Sequence, residues 1–263
     1  MRLSSIALIF GLVASVILPV LAVSASVSVV ATDSDAGDIS LGSQGGQKLI
    51  SDSLGKHLAV YVDSNGRLAV SVANGDPRLA GSWSPAFKSP APSSDYRRPA
   101  AVLVSQTTLR VIAEGGTGSQ NLVDVLVTLT RDSGGNILGL SYGVISTLDN
   151  SGAAFYPSAV LAHDGSIILV WNVHTGSVSK VNALRRLPAS GWRSITDTSS
   201  TAPTVLISDS SNTSPIFPSV IERMDNHKLY VLGNRGSGSS NIAFNSATFN
   251  GQNWTVGSQN LAY

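Results

Sequence analysis

A repeating unit constrains this chain more than any other feature. One copy opens at Tyr156-Pro157-Ser158-Ala159-Val160, turns at His163-Asp164-Gly165 and continues as Ser166-Ile167-Ile168-Leu169-Val170-Trp171. The run Val178-Ser179-Lys180-Val181-Asn182-Ala183-Leu184 follows, and Ser190-Gly191-Trp192 closes the copy. Asp-Gly between two runs rich in β-branched residues is a strong hairpin signal. The copy therefore reads as an antiparallel meander of three or four strands. Such a small sheet cannot bury both faces alone, so it needs neighbours of its own kind.

The neighbours are present. Phe217-Pro218-Ser219-Val220-Ile221 copies the opening, Met224-Asp225-Asn226 takes the turn, and Lys228-Leu229-Tyr230-Val231-Leu232 is the second strand. Asn241-Ile242-Ala243-Phe244-Asn245 and Asn250-Gly251-Gln252-Asn253-Trp254 complete that copy. Upstream, Arg98-Pro99-Ala100-Ala101-Val102 opens another, with runs at 109–113 and 124–129. The earliest copy has runs at 58–62 and 67–72 about the turn Asp63-Ser64-Asn65-Gly66, and closes at Gly81-Ser82-Trp83. The openings at Pro99, Pro157 and Pro218 set a period of roughly sixty residues, a blade-sized repeat. Proline at the first residue of a strand is permitted, because no ladder donor is needed there.

The expected fold is all-β: a β-propeller-like array of about four four-stranded antiparallel blades, with room for a fifth. An ordinary β-sandwich with similar strands is the competing architecture. The units fall at about 48–95, 96–154, 155–215 and 216–263, within one domain spanning 48–263. In such an array Tyr61, Val70, Val102, Ile112, Val160, Val170, Val220 and Val231 belong in strands packed between blades.

Composition narrows the function. Only 13% of residues are charged and the net charge is +1, so the basic surface of a nucleic-acid binder is lacking. The same balance gives no reason for an anionic membrane as partner. Residues 1–25 read as a secretory signal, with Arg2 at its positive start, an apolar run from Ile6 to Val23 and small residues at Val23-Ser24-Ala25. The run is also long enough to serve as an uncleaved anchor. Either reading puts the remainder outside the cytoplasm, secreted or at the cell surface, with no membrane contact once the signal is cleaved. Cysteine is absent, which removes disulfides, thiolate metal sites and cysteine nucleophiles. Residues 26–47 hold a strand-like run at 27–31 and an acidic Gly-rich segment; the run is either a closing strand or part of a linker. Sequons occur at Asn212 and Asn253.

Tyr96-Arg97-Arg98-Pro99 carries a resemblance to the sialidase, or neuraminidase, superfamily of Asp-box (BNR-repeat) propellers. That family opens with an aromatic-Arg-x-Pro motif whose arginine binds the substrate carboxylate. Ala113-Glu114-Gly115-Gly116 resembles the family's Ala-Glu-Gly-Arg stretch, and Asp132-Ser133-Gly134-Gly135 an Asp-box turn. Asn234-Arg235 and Asn250-Gly251-Gln252-Asn253-Trp254 resemble elements of a later blade. The chain also departs from the pattern. The loop 115–122 holds no acid where the family carries its acid/base aspartate, and Phe217 stands where a glutamate precedes proline. No stretch matches a third arginine or the nucleophilic tyrosine.

Hydrolysis of a glycosidic bond needs two carboxyl groups flanking it. An arginine can hold a carboxylate bidentately without either. The expectation is therefore a glycan-binding or surface-interaction module without catalytic residues. The alternatives are an exo-acting glycoside hydrolase of sialidase type and a structural cell-surface protein. The candidate ligand-binding residues are Arg97, Arg98, Glu114, Arg235, Trp171 and Tyr156, with Tyr142 a further stacking ring. Trp83, Trp192 and Trp254 share one repeat position and read as wedges between blades. No cofactor is expected. The four histidines show no metal-ligand spacing, and no metal is expected.

Overall fold

The computed structural model describes residues 48–79, 81–210, 215–235 and 242–262. The leader 1–25, the segment 26–47 and the sequon at Asn212 lie outside the described residues, as does the side chain of Arg235.

Every regular element among the described residues is a β-strand, and the strands form four antiparallel sheets, the blades of a propeller. Blade 1 contains β1 (Leu49–Ser51), β2 (His57–Val62), β3 (Leu68–Ala73) and β4 (Phe87–Lys88). Blade 2 contains β5 (Ser94–Ser105), β6 (Thr108–Gly116), β7 (Leu122–Arg131) and β8 (Ile137–Asp149). Blade 3 contains β9 (Ala154–Leu161), β10 (Ile167–Thr175), β11 (Val178–Leu187), β12 (Gly191–Arg193) and β13 (Thr204–Asp209). Blade 4 contains β14 (Ile216–Arg223), β15 (Lys228–Arg235), β16 (Ile242–Phe249), β17 (Trp254–Val256) and β18 (Asn260–Ala262). The expected all-β propeller is the observed fold.

Local chemistry explains the hairpins. In the β9–β10 turn, Gly165 adopts φ +76° and its N–H donates to the Ala162 carbonyl. The Asp164 carboxylate accepts from the Ser166 amide and hydroxyl, a side-chain closure typical of such turns. Middle strands that are buried on both faces read as continuous apolar runs rather than alternating ones. All six residues of β3 are buried, as is β10 from Ile167 to Asn172.

Three blades build their outer edge in two pieces. β12 takes Arg185 to Leu187 of β11, and β13 takes Ser179 to Ala183 of the same strand. On β16, β17 and β18 divide the edge in the same way. In blade 1, Trp83 bridges to Ala73 before β4 pairs with Ala69 and Val70. A tryptophan lies in the first piece each time, which is why the Gly-x-Trp signal recurs late in the repeat. Blade 2 has the uninterrupted β8 instead.

Three hydrophobic cores join the four blades. One lies between blades 1 and 2 and includes Val70; one between blades 2 and 3 includes Val102 and Ile112; one between blades 3 and 4 includes Val170, Val220 and Val231, with Val160 packed against it. Tyr61 is buried in β2. Among the described residues no shared core joins blade 4 to blade 1.

Candidate functional site

The first strands β5, β9 and β14 pack side by side. Each carries a proline in its first half rather than at its first residue, and the residue before that proline is Arg98, Tyr156 or Phe217. These three form one row. The Arg98 guanidinium carbon lies 4.5 Å from the centre of the Tyr156 ring. The Tyr156 and Phe217 ring centres are 4.4 Å apart, tilted by 54°. All three side chains are half-buried and so keep part of their surface toward solvent.

Backbone irregularity aims two of them. Arg98 and Tyr156 have φ of +47° and +55°, and both fall where the strand pairing shifts register. Such bulges re-aim a side chain out of the sheet's alternation. Phe217 needs no bulge, because β14 pairs with β15 without a shift.

Glu114 fixes the row from beneath. It is 1% exposed, at the end of β6. Arg98 Nη1 donates to its Oε2 at 2.7 Å, and the Tyr156 backbone N–H donates to its Oε1 at 2.7 Å. Burial pushes this carboxyl up, against the opposing pull of Arg98, the Tyr156 amide and Arg97. The next residue has to be glycine: Gly115 adopts φ +91°, and a Cβ there would meet the Asp95 carbonyl oxygen at 2.0 Å. That close approach brings β6 near the start of β5, so that Arg98 can reach Glu114. Arg97 lies opposite Glu114 in the β5–β6 ladder, with its side chain exposed.

The sequence-derived candidates thus divide. Arg98, Glu114 and Tyr156 come together, and Arg97 borders them. Glu114 pairs with Arg98 rather than standing as a loop acid, so part of the Arg98 fork is already occupied. Arg235 ends β15 with its backbone opposite Ile216. Trp171 is a correction. It is fully buried, its Nε1–H donates to Asp149 Oδ2 at 2.9 Å, and it belongs to the core between blades 2 and 3. β10 continues to Thr175, so Trp171 is a mid-strand residue and cannot stack on a ligand. Tyr142 serves packing as well, its hydroxyl 2.8 Å from the Phe87 carbonyl oxygen of blade 1. Phe217 was missed as a site residue. Aligning the residues before Pro99, Pro157 and Pro218 is the signal that finds it.

Of the three repeat tryptophans, Trp192 and Trp254 act between blades, whereas Trp83, expected to do the same, does not. Trp192 of blade 3 donates from Nε1 to Asp124 Oδ2 of blade 2 at 2.8 Å. Asp124 also accepts from Arg110 at 2.9 Å; burial pushes its carboxyl up against the pull of Trp192 and the arginines. Trp254 of blade 4 is 1% exposed, and its backbone N–H donates to the Ile195 carbonyl of blade 3 at 2.9 Å. Trp83 donates to the Pro77 carbonyl within its own blade and lines an open cleft of about 500 Å³ with Asn74, Asp76 and Ser82.

Distant segments also bring His163, Glu222 and His227 together, at the junction of blades 3 and 4. Sequence spacing held no hint of this group, because its members come from two turns and a strand end in different blades.

No protein-family model matches the sequence, and no curated protein matches it. Solved structures of similar shape include a thermostable family-43 glycoside hydrolase, with 10% identity, 80% of this chain and 70% of that one covered, and a TM-score of 0.43. A family-32 β-fructofuranosidase from Bombyx mori shares 12% identity over 81% of this chain and 47% of its own, with a TM-score of 0.49. An ulvan lyase of polysaccharide lyase family 25 shares 12% identity over 82% of this chain and 58% of its own, with a TM-score of 0.45. The chain thus spans about half the length of the second and third of these.

Proposed function

We propose that this chain is a sialidase-like propeller that binds a carboxylate-bearing glycan outside the cytoplasm and does not hydrolyse it. The observation that carries the reading is the row Arg98–Tyr156–Phe217 with the exposed Arg97 at its border. Aromatic faces receive the apolar face of a sugar ring, and a few convergent polar groups orient it. The Arg97 guanidinium can take a carboxylate in a bidentate fork. The aromatic-Arg-x-Pro motif at the start of β5 supports the kinship with sialidases, and the apolar leader supports export.

Two features favour binding over turnover. A glycosidase needs an acid and a second carboxylate flanking the scissile bond. The carboxylate under this row, Glu114, has both oxygens engaged by Arg98 and the Tyr156 amide. The position that would hold the family's general base is occupied by Phe217, whose ring packs on Tyr156.

The test is a glycan array probed with the wild type and with Arg97→Ala, beside release of a fluorogenic aglycone from a sialoside. The wild type should retain acidic glycans, the variant should lose them, and neither should release aglycone. Robust hydrolysis by the wild type overturns the non-catalytic reading. Binding that is absent, or unchanged in the variant, removes the row from ligand recognition.

A further inference from the structure

We propose that His163, Glu222 and His227 form a binding site for a divalent transition-metal ion of the zinc class, clamping blade 3 to blade 4. His163 stands in the β9–β10 turn, Glu222 near the end of β14, and His227 just before β15. Their candidate donor atoms all lie within 4.8 Å of one another. His163 Nδ1 faces Glu222 Oε1, and the His163 backbone N–H donates to Oε2 at 2.8 Å. His227 Nδ1 lies 3.6 Å from the same Oε1.

The donors converge on a buried carboxylate. The Glu222 side chain is 1% exposed. Its partners among the described residues are two imidazoles and one amide. The neighbouring Arg185 is committed elsewhere, to Asp164, Ser166 and the Gln252 carbonyl. A metal ion bound here would use the same three groups as ligands, with the buried carboxylate supplying its counter-charge.

The donor set matches that ion class. Two imidazoles and one carboxylate are a recurring three-ligand set for zinc, with a fourth position open to water. Imidazole ligands favour zinc, copper or nickel over calcium or magnesium. Bonds of about 2.0–2.1 Å put neighbouring donors of a tetrahedral site roughly 3.3 Å apart. The His227–Glu222 separation of 3.6 Å is already close to that value. The two imidazoles stack, with centres 3.9 Å apart and planes at 25°, so one ring must turn for both lone pairs to converge. His227 is the partner with room to turn, its side chain 48% exposed. His163 is held edge-on against Phe249 and Trp254, with centres 5.2 and 6.0 Å away.

This site sits at the far ends of β9 and β14 from Tyr156 and Phe217, so it is independent of glycan binding. The experiment is calorimetric titration of the chelator-treated full chain with zinc chloride, alongside His227→Asn and Glu222→Gln. His227 has φ +50°, a conformation that asparagine tolerates, so the His227→Asn fold should persist. The wild type should take up one equivalent, gain melting temperature with zinc and show the intense visible bands of four-coordinate cobalt(II). Each substitution should weaken uptake by about tenfold or more. Absence of uptake by the wild type, or uptake that survives His227→Asn unchanged, overturns the proposal; His227→Asn decides alone where Glu222→Gln does not fold.

Discussion

Glu114 and Arg97 are neighbours across one ladder, yet their environments are opposite. Glu114 is buried with a half-buried guanidinium and a backbone amide as partners, whereas Arg97 extends into solvent. Removing one member of a buried ion pair leaves the other uncompensated, at a cost of about 3–5 kcal/mol. Glu114→Ala should lose about that much stability in urea unfolding, and Arg97→Ala should stay within about 0.5 kcal/mol of the wild type. Equal losses in the two variants would mean that Arg98 does not depend on Glu114. This contrast also makes Arg97→Ala a clean probe of binding, since its effect on the glycan array cannot come from unfolding.

At the level of elements, each blade is a hairpin series, and in blades 1, 3 and 4 the outer edge is interrupted where a tryptophan sits. Trp254 starts the outer edge of blade 4, is 1% exposed and packs beside His163 of blade 3. Trp192 starts that of blade 3, is half-buried and reaches Asp124 of blade 2 through its indole N–H. Truncation of a buried tryptophan costs about 3–5 kcal/mol, through lost burial plus the cavity left behind. Trp254→Ala should fall in that range in thermal or chemical unfolding, and Trp192→Ala should cost less because water already covers part of its ring. The reverse order would show that Trp192, not Trp254, is the main wedge. The hairpins themselves follow from residues such as Asp164 and Gly165, whose influence reaches only a few positions along the chain.

For the molecule as a whole, the arrangement of cores sets the order of stability. Blades 2 and 3 are each flanked by two hydrophobic cores, whereas blades 1 and 4 each share one among the described residues. Where each unit contacts only its neighbours, stability is roughly the sum of unit and interface terms. End units therefore open at lower free energy than middle ones. Native-state hydrogen exchange should show earlier exchange of β15 and β16 than of β6 and β10. Uniform protection across the four blades would mean that blade 4 is held on its second side as strongly as on its first. Zinc should slow exchange at β14 and β15 if the metal clamp forms.

Local sequence dictates the inner strands of each blade, the turns between them and the blade-sized period, but not outer strands such as β8 or β13. Each of these depends on interactions over a few residues: a left-handed glycine, a side-chain cap, a run of β-branched residues. It also placed Arg98, Glu114 and Tyr156 among the candidates, because they sit at repeat positions that start or end inner strands. Which of those positions touch was decided only by the packing of blade on blade. That packing stacked Arg98, Tyr156 and Phe217 in one row, gave Glu114 to Arg98, and drew His163 to Glu222 across 59 residues. It also buried Trp171, which the neighbouring Asn172 makes look like a strand end; β10 carries on past both because blade 2 covers one face and blade 4 the other. Contacts between repeats depend on how the sheets dock, and docking is a property of summed apolar surface rather than of any short motif.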